Sequence, residues 1–209
     1  MKGLTYALVI CCITALAGCA SMLGPSTDDP AVKLKWAAEH FSSKDDPAAA
    51  EKLIREAIAV KEDVRLARYN LALLAEGRGD LLNAEREYLQ ELKLHPDSYK
   101  AAFNLSLLYE RTGQRDLRID ALKMAIDGNA AFAEGHIFLA KAYLERGSNL
   151  GEAAALARTG LGLSPSPEVA PLGHYVLADI YNRQGRPAEA SREVALGRAL
   201  EARLRRGSR

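Results

Sequence analysis

Residues 65–98 read RLARYNLALLAEGRGDLLNAEREYLQELKLHPDS, and residues 99–132 read YKAAFNLSLLYERTGQRDLRIDALKMAIDGNAAF. Laid one over the other, Asn70 falls on Asn104, Leu71 on Leu105 and Gly79 on Gly113. The same 34-residue period extends back over 31–64 and forward over 133–167, where one residue is inserted. A last copy, 171–204, begins at Pro171 after an extra Glu168-Val169-Ala170. A recurring period of this length marks an array of stacked supersecondary units.

Several positions recur together when each copy is numbered from its own first residue. Position 8 is small (Ala38, Ala72, Ser106, Ala140, Ala178), and position 20 is Ala at Ala50, Ala84, Ala153 and Ala190. Position 15 is Gly79, Gly113, Gly147 and Gly185; position 11 is aromatic at Phe41, Tyr109, Tyr143 and Tyr181; position 32 is Pro96 and Pro165. This set resembles the tetratricopeptide repeat over nearly all of residues 31–204. The resemblance implies an all-α fold, a right-handed α-solenoid of about five helix-turn-helix repeats. Each mark has a physical reason. Small residues let two antiparallel helices approach. Gly at position 15 ends the first helix in a left-handed turn, and Pro at position 32 stops the second. Asp46-Pro47 reads as an N-cap followed by Pro at the first helical position. One repeat cannot bury its apolar face alone, so the copies must stack.

Composition agrees. The hydrophobic share of 48% leans on Ala and Leu while aromatics are 6%, which favours helix over sheet. Three departures stand out. Arg118 occupies position 20 of the third repeat, and its stem is expected along the helix pair with its head in solvent. Gly160 and Gly162, followed by Ser164-Pro165-Ser166-Pro167, read as the softest junction of the array. No separate capping helix follows the fifth repeat, whose end, Arg203-Leu204-Arg205-Arg206, reads as a solvated charge run leading into a basic tail, 205–209.

The first residues carry a different message. Lys2 precedes an apolar run over 4–17, and no acidic residue occurs before Asp28. This is the signal-peptide pattern. The run is shorter than the roughly 20 residues a membrane-spanning helix needs, although a permanent anchor is the rival reading. It ends Leu16-Ala17-Gly18-Cys19, which resembles the lipobox of bacterial lipoproteins. The resemblance implies a signal peptide over 1–18, cleavage after Gly18, and diacylglycerol on the Cys19 thiol with acylation of the new amino terminus. Two or more chains would hold the protein stably on a membrane, whereas one is marginal. Ala20 in place of Asp favours the outer membrane by resemblance to enterobacterial sorting, with the body facing the periplasm. Residues 19–30 then form a lipidated tether, because Gly, Pro, Ser and Asp interrupt both helix and strand.

Cys11, Cys12 and Cys19 are the only cysteines, so the body has no disulfide and no thiol nucleophile. After cleavage 27 basic residues face 27 acidic ones. Such balance gives no pull toward nucleic acid. His40, His95, His136 and His174 lack the paired spacing of a metal site; His136 and His174 share position 4 and are expected to pack between helices. There is no phosphate loop, nucleophile elbow or His-Glu metal motif. Glu85, Glu87 and Glu91 read as solvated helix-face carboxylates. Catalysis, a cofactor and a small-molecule substrate are therefore not expected.

In tetratricopeptide folds the first helix of each repeat lines a groove. The resemblance places Lys35, Tyr69, Asn70, Leu73, Lys100, Phe103, Asn104, Leu107, Arg111, Phe138, Lys141, Tyr175 and Asp179 there. Aromatic faces beside amides and cations suit an extended peptide or a partner helix. Asn70 and Asn104 share position 6, either to bond a peptide backbone or simply as common consensus residues. Lys35, Asn70 and Lys100 also match three of five residues with which some relatives clamp a C-terminal carboxylate. Glu39 and Asn104 depart from that pattern, and Glu39 would repel a carboxylate. The expectation is a membrane-anchored interaction scaffold for other envelope proteins or peptide segments. Lipobox and repeats together resemble lipoproteins that assist type IV or Tad-type pilus assembly, and equally adaptors for outer-membrane protein assembly or peptidoglycan hydrolases.

Overall fold

The computed structural model describes residues 29–42 and 46–207. The signal peptide, Cys19 and most of the tether lie outside the described residues. Ten helices occur among those described: α1 (Pro30–Ser42), α2 (Pro47–Val60), α3 (Ala67–Gly77), α4 (Leu81–Leu94), α5 (Tyr99–Arg111), α6 (Arg115–Gly128), α7 (Ala133–Arg146), α8 (Leu150–Gly162), α9 (Ala170–Arg183) and α10 (Pro187–Gly207). The fold is all-α. The chain divides into two compact units, residues 1–74 and 75–209.

In the first unit α1 packs on α2. Ala37, Ala50, Ile54, Ala67, Leu71 and Leu74 form its buried core. Asp46 caps α2 as its sequence implies: Ala49 N donates to Asp46 Oδ1 at 2.8 Å, and Pro47 opens the helix. Satisfying one of the orphan N–H groups of a helix start this way contributes about 1 kcal/mol.

In the second unit α5 pairs with α6, α7 with α8, and α9 with α10, and each pair packs on the next. One continuous core, from Ile119 and Leu122 through Leu139, Tyr143 and Ala157 to Leu177 and Ala190, runs through these pairs. The small residues do what their spacing implies. Ser106, Ala140 and Ala178 at position 8 and Ala84, Ala153 and Ala190 at position 20 are all buried. The four position-15 glycines all have φ between 72° and 75°, a left-handed conformation that costs a residue with a Cβ about 1 kcal/mol or more.

Two of the position-11 tyrosines, Tyr109 and Tyr181, reach back to the second helix of the preceding repeat. Tyr109 donates its hydroxyl to Glu85 Oε1 at 2.9 Å. Burial, and then this contact, push the Tyr109 pKa up to about 12. Arg158 Nη1 donates to the Tyr181 hydroxyl at 3.4 Å.

Three sequence expectations require correction. Arg118 does not hold its head in solvent: its side chain is only 5% exposed, inserted among α5, α6 and α7 against Glu110 and Glu145. Gly160 does not mark a soft junction. A Cβ there would lie 2.7 Å from Ile137 Cγ1 and 2.8 Å from the Ala133 carbonyl oxygen, so α8 lies directly against α7 at this residue. Gly162, in contrast to Gly160, has nothing within 4 Å of a Cβ. Glu87 and Glu91 are not solvated; both are buried in α4, and Glu85 is the carboxylate that holds Tyr109.

The histidines follow the helix packing. His136 is buried with Nε2 2.9 Å from the Ala130 carbonyl. His174 Nδ1 lies 2.7 Å from Glu193 Oε2, joining α9 to α10.

Candidate functional site

The first helices carry the groove candidates. On α3, Tyr69, Asn70 and Leu73 are half-buried. Lys35 and Glu39 lie on α1, with side chains outside the described residues.

In the second unit the structure gathers an aromatic strip. Phe103 of α5 meets Phe138 of α7 edge-on, centroids 5.1 Å apart and planes at 85°. Phe132, just before α7, meets Phe103 at 5.0 Å and 85°, and Tyr99 at 5.0 Å and 55°. Edge-to-face geometry sets the positive rim of one ring on the negative face of the next, and each such pair contributes about 0.5–1.5 kcal/mol beyond burial. All four rings are half-buried, and Phe103 and Phe138 pack on the core beneath. Phe132 and Tyr99 were missed by the groove positions because they stand at positions 34 and 1 of the third repeat. Their sequence signal was the ring density of Tyr99, Phe103, Phe132 and Phe138 across the third repeat and the start of the fourth.

Beside the strip lies a charge cluster. Lys141 Nζ contacts Glu110 Oε1 at 2.6 Å and Glu145 Oε1 at 3.3 Å. Arg118 Nη1 donates to Glu145 Oε2 at 2.5 Å, and Nη2 lies 3.2 Å from Glu110 Oε1 as a charge contact. Burial alone pushes the Glu145 carboxyl up, but Arg118 and Lys141 outweigh it and hold its pKa below the usual carboxylate value. Lys141 is therefore committed to carboxylates of its own chain. Arg111 reaches Glu76 at 3.9 Å; burial of Glu76 raises its pKa against that attraction.

The remaining candidates divide. Lys100 and Asp179 are exposed, while Asn104 and Leu107 are half-buried on α5. Tyr175 is taken up by its own repeat. It rests on α10 where Gly197 has no side chain, a Cβ there falling 2.8 Å from the ring, and its hydroxyl meets Glu201.

Interrepeat contacts hold the strip in place. Ser166 N donates to Glu134 Oε1 at 3.0 Å, tying the loop before α9 to the start of α7. Burial of Glu134 opposes ionisation, but the Ser166 contacts hold its pKa below normal. Arg183 Nη1 donates to the Leu144 carbonyl at 2.7 Å, adding to the Gly147 N–H bond at 3.1 Å on the same acceptor at the end of α7. Among the described residues no group of three or more potential ligands is placed to hold a metal ion.

Comparisons with known proteins agree with this geometry. No curated protein sequence matches the chain. Among solved structures, a crystal structure of MamA superposes with a TM-score of 0.67 at 15% identity, covering 81% of this chain and 96% of that one. MamA residues 41 to the end from Desulfovibrio magneticus RS-1 give 0.66 at 16%, covering 84% and 96%. YrrB, described as a TPR protein with an unusual peptide-binding site, gives 0.67 at 14%, covering 85% and 89%. At these identities the likeness shows the fold alone. The tetratricopeptide repeat family matches by sequence over residues 37–93, and the chain takes the tetratricopeptide-repeat fold.

Proposed function

We propose that this protein is a binding scaffold that holds a peptide segment or helix of another protein on the first-helix face of the repeats. The observation that carries the reading is the Tyr99–Phe132–Phe103–Phe138 strip, half-buried and flanked by exposed Lys100. Partly open aromatic rings supply large contact area on rigid supports, and such anchors dominate most protein interfaces. The charge cluster beside them is neutralised within the chain, so it shapes the strip's border rather than attracting a charged ligand.

The reading includes location. The Leu16-Ala17-Gly18-Cys19 motif supports lipid attachment at Cys19 and a place on the periplasmic face of the outer membrane. No described helix is long and apolar enough to cross a membrane. The work at that place is assistance in assembling an envelope machine such as a type IV or Tad-type pilus; an adaptor for outer-membrane protein assembly or peptidoglycan hydrolases is the second reading from the same two features.

Two experiments test these halves. Mass spectrometry of the mature protein is expected to show an acylated amino-terminal cysteine, with Cys19→Ser blocking acylation and cleavage; an unmodified chain starting at Met1 contradicts anchoring. For binding, Lys100→Glu with Phe138→Ala is compared with Asp120→Ala and Lys123→Ala on the exposed side of α6. The first pair is expected to weaken co-purification of the envelope partner by roughly tenfold while the second leaves it intact. Equal loss in both pairs overturns the first-helix reading, and a thermal melt on each separates binding loss from unfolding.

A further inference from the structure

Helix α10 runs for 21 residues, whereas the second helices α2, α4, α6 and α8 run for 13 or 14. The added turns carry Leu204, four residues after Leu200 and so on the same helix face. That face continues the line of Leu196, which is 50% exposed. With Pro167 and Glu168 from the preceding loop, and Arg203 and Arg205, Leu200 and Leu204 line an open groove of about 720 Å³. Pockets of roughly 300–1,000 Å³ accommodate drug-sized groups, so this volume takes several large side chains.

The groove's rim is basic. Arg205 and Arg206 fill the last turn of α10, while Lys93 of α4 is the one basic residue in the last turns of α2, α4, α6 and α8. Arg198 and Arg206 continue the patch alongside Glu201. Arg206 is partly spent on the helix end, Nε donating to the Ala202 carbonyl at 3.1 Å, and Glu201 is engaged by Tyr175. Four arginines against Glu168 and Glu201 leave a positive surround to an apolar trough.

That pairing selects an occupant. The trough has the chemistry that receives the apolar stripe of an amphipathic helix, and the rim adds the complementary charge that sets its sign. A flat anionic membrane would meet the arginines without filling the trough. The α1 helix of a second copy brings Lys33 and Lys35 against Glu39, which repels the rim. We propose that this groove docks an acidic amphipathic helix of a partner protein, its apolar side chains between Leu200, Leu204 and Pro167 and its carboxylates on Arg203 and Arg205. This site goes beyond the aromatic strip and is independent of it.

The test uses the purified full chain and a labelled synthetic helix with leucines at helical spacing and glutamates elsewhere. A lysine-for-glutamate version and phosphatidylglycerol vesicles run in parallel. Fluorescence anisotropy is expected to show saturable binding of the glutamate helix, weakened by added salt and by roughly tenfold in Leu204→Glu. Arg203→Glu, an exposed position, is expected to weaken binding severalfold with an unchanged thermal melt, and Lys123→Ala, on the exposed side of α6, to leave it unchanged. Absence of binding, equal binding of the lysine helix, or indifference to both groove substitutions overturns the proposal. Vesicle binding that these substitutions abolish, without peptide binding, assigns the patch to a membrane instead.

Discussion

At Arg118 the crossing of α6 with α5 and α7 admits a whole guanidinium, whereas at Gly160 the crossing of α8 with α7 has no space for a single methyl. The two halves of α7 are thus fixed by opposite chemistry, Ala133 and Ile137 at its start and Lys141 and Glu145 toward its end. On the Arg118 side the helices are held by charges that need each other: a buried guanidinium, two carboxylates and Lys141. On the Gly160 side they are held by contact, with Ile137 and the Ala133 carbonyl against bare backbone. Gly173 of α9 repeats the device against Leu161 and Ile137. A repeat array tolerates either solution provided the stacking distance is kept. The ionic solution carries a pH dependence that the apolar one lacks.

The largest expected effect comes from the tight side. Gly160→Leu must displace backbone at Ala133 rather than a mobile side-chain end, and is expected to cost about 3 kcal/mol or more. A denaturant melt that moves little would show that α7 and α8 can part, and that the two crossings do not differ as described. Next is Arg118→Ala. It restores the residue type found at position 20 of the other repeats but strands Glu110 and Glu145. Both carboxylates keep some solvent and Lys141, so the cost is expected near 2 kcal/mol rather than that of a fully buried pair. A gain in stability would mean that the cluster is tolerated rather than required. Gly162→Ala sharpens the contrast two residues from Gly160. Its Cβ meets nothing within 4 Å, so ordinary helix propensity applies and stability is expected to rise by about 0.5–1 kcal/mol.

The smallest effect is the acid response. The Glu145 pKa is lowered in the folded state, so its contribution is present above the unfolded carboxylate value of about 4.3 and is lost as pH falls through the folded value. Wild type is therefore expected to lose more stability than Glu145→Gln between neutral pH and about pH 3. The difference is expected to stay below about 1 kcal/mol, because the group is 43% exposed and partly screened. Parallel curves for the two proteins would remove the ionic half of the comparison.

What could be read from the residues follows the same division. Period, helix pairing, the left-handed glycines and the buried alanines were legible because each is a local requirement repeated at fixed spacing. Arg118 and Gly160 were misjudged because each depends on what faces it from another helix. Arg118 is buried only because Glu110 and Glu145, at positions 12 and 13 of successive repeats, converge on it; an acid on each neighbouring first helix was the available signal. Gly160 looks like a helix weakener in its own segment and like a contact surface only once Ile137 is opposite. Groove positions inherited from the repeat pattern found Phe103 and Phe138. They missed Phe132 and Tyr99, and they included Tyr175, which α10 claims through the space above Gly197.

The central claim is that the first-helix face carries the partner. Site-directed photocrosslinking in living cells tests it most directly, with the crosslinker placed in turn at Lys100, Phe138, Lys123 and Arg192 of the full chain. The account predicts one discrete crosslinked partner from Lys100 and Phe138 and none from Lys123 or Arg192. The same partner captured from Lys123 while Lys100 and Phe138 stay silent would contradict it.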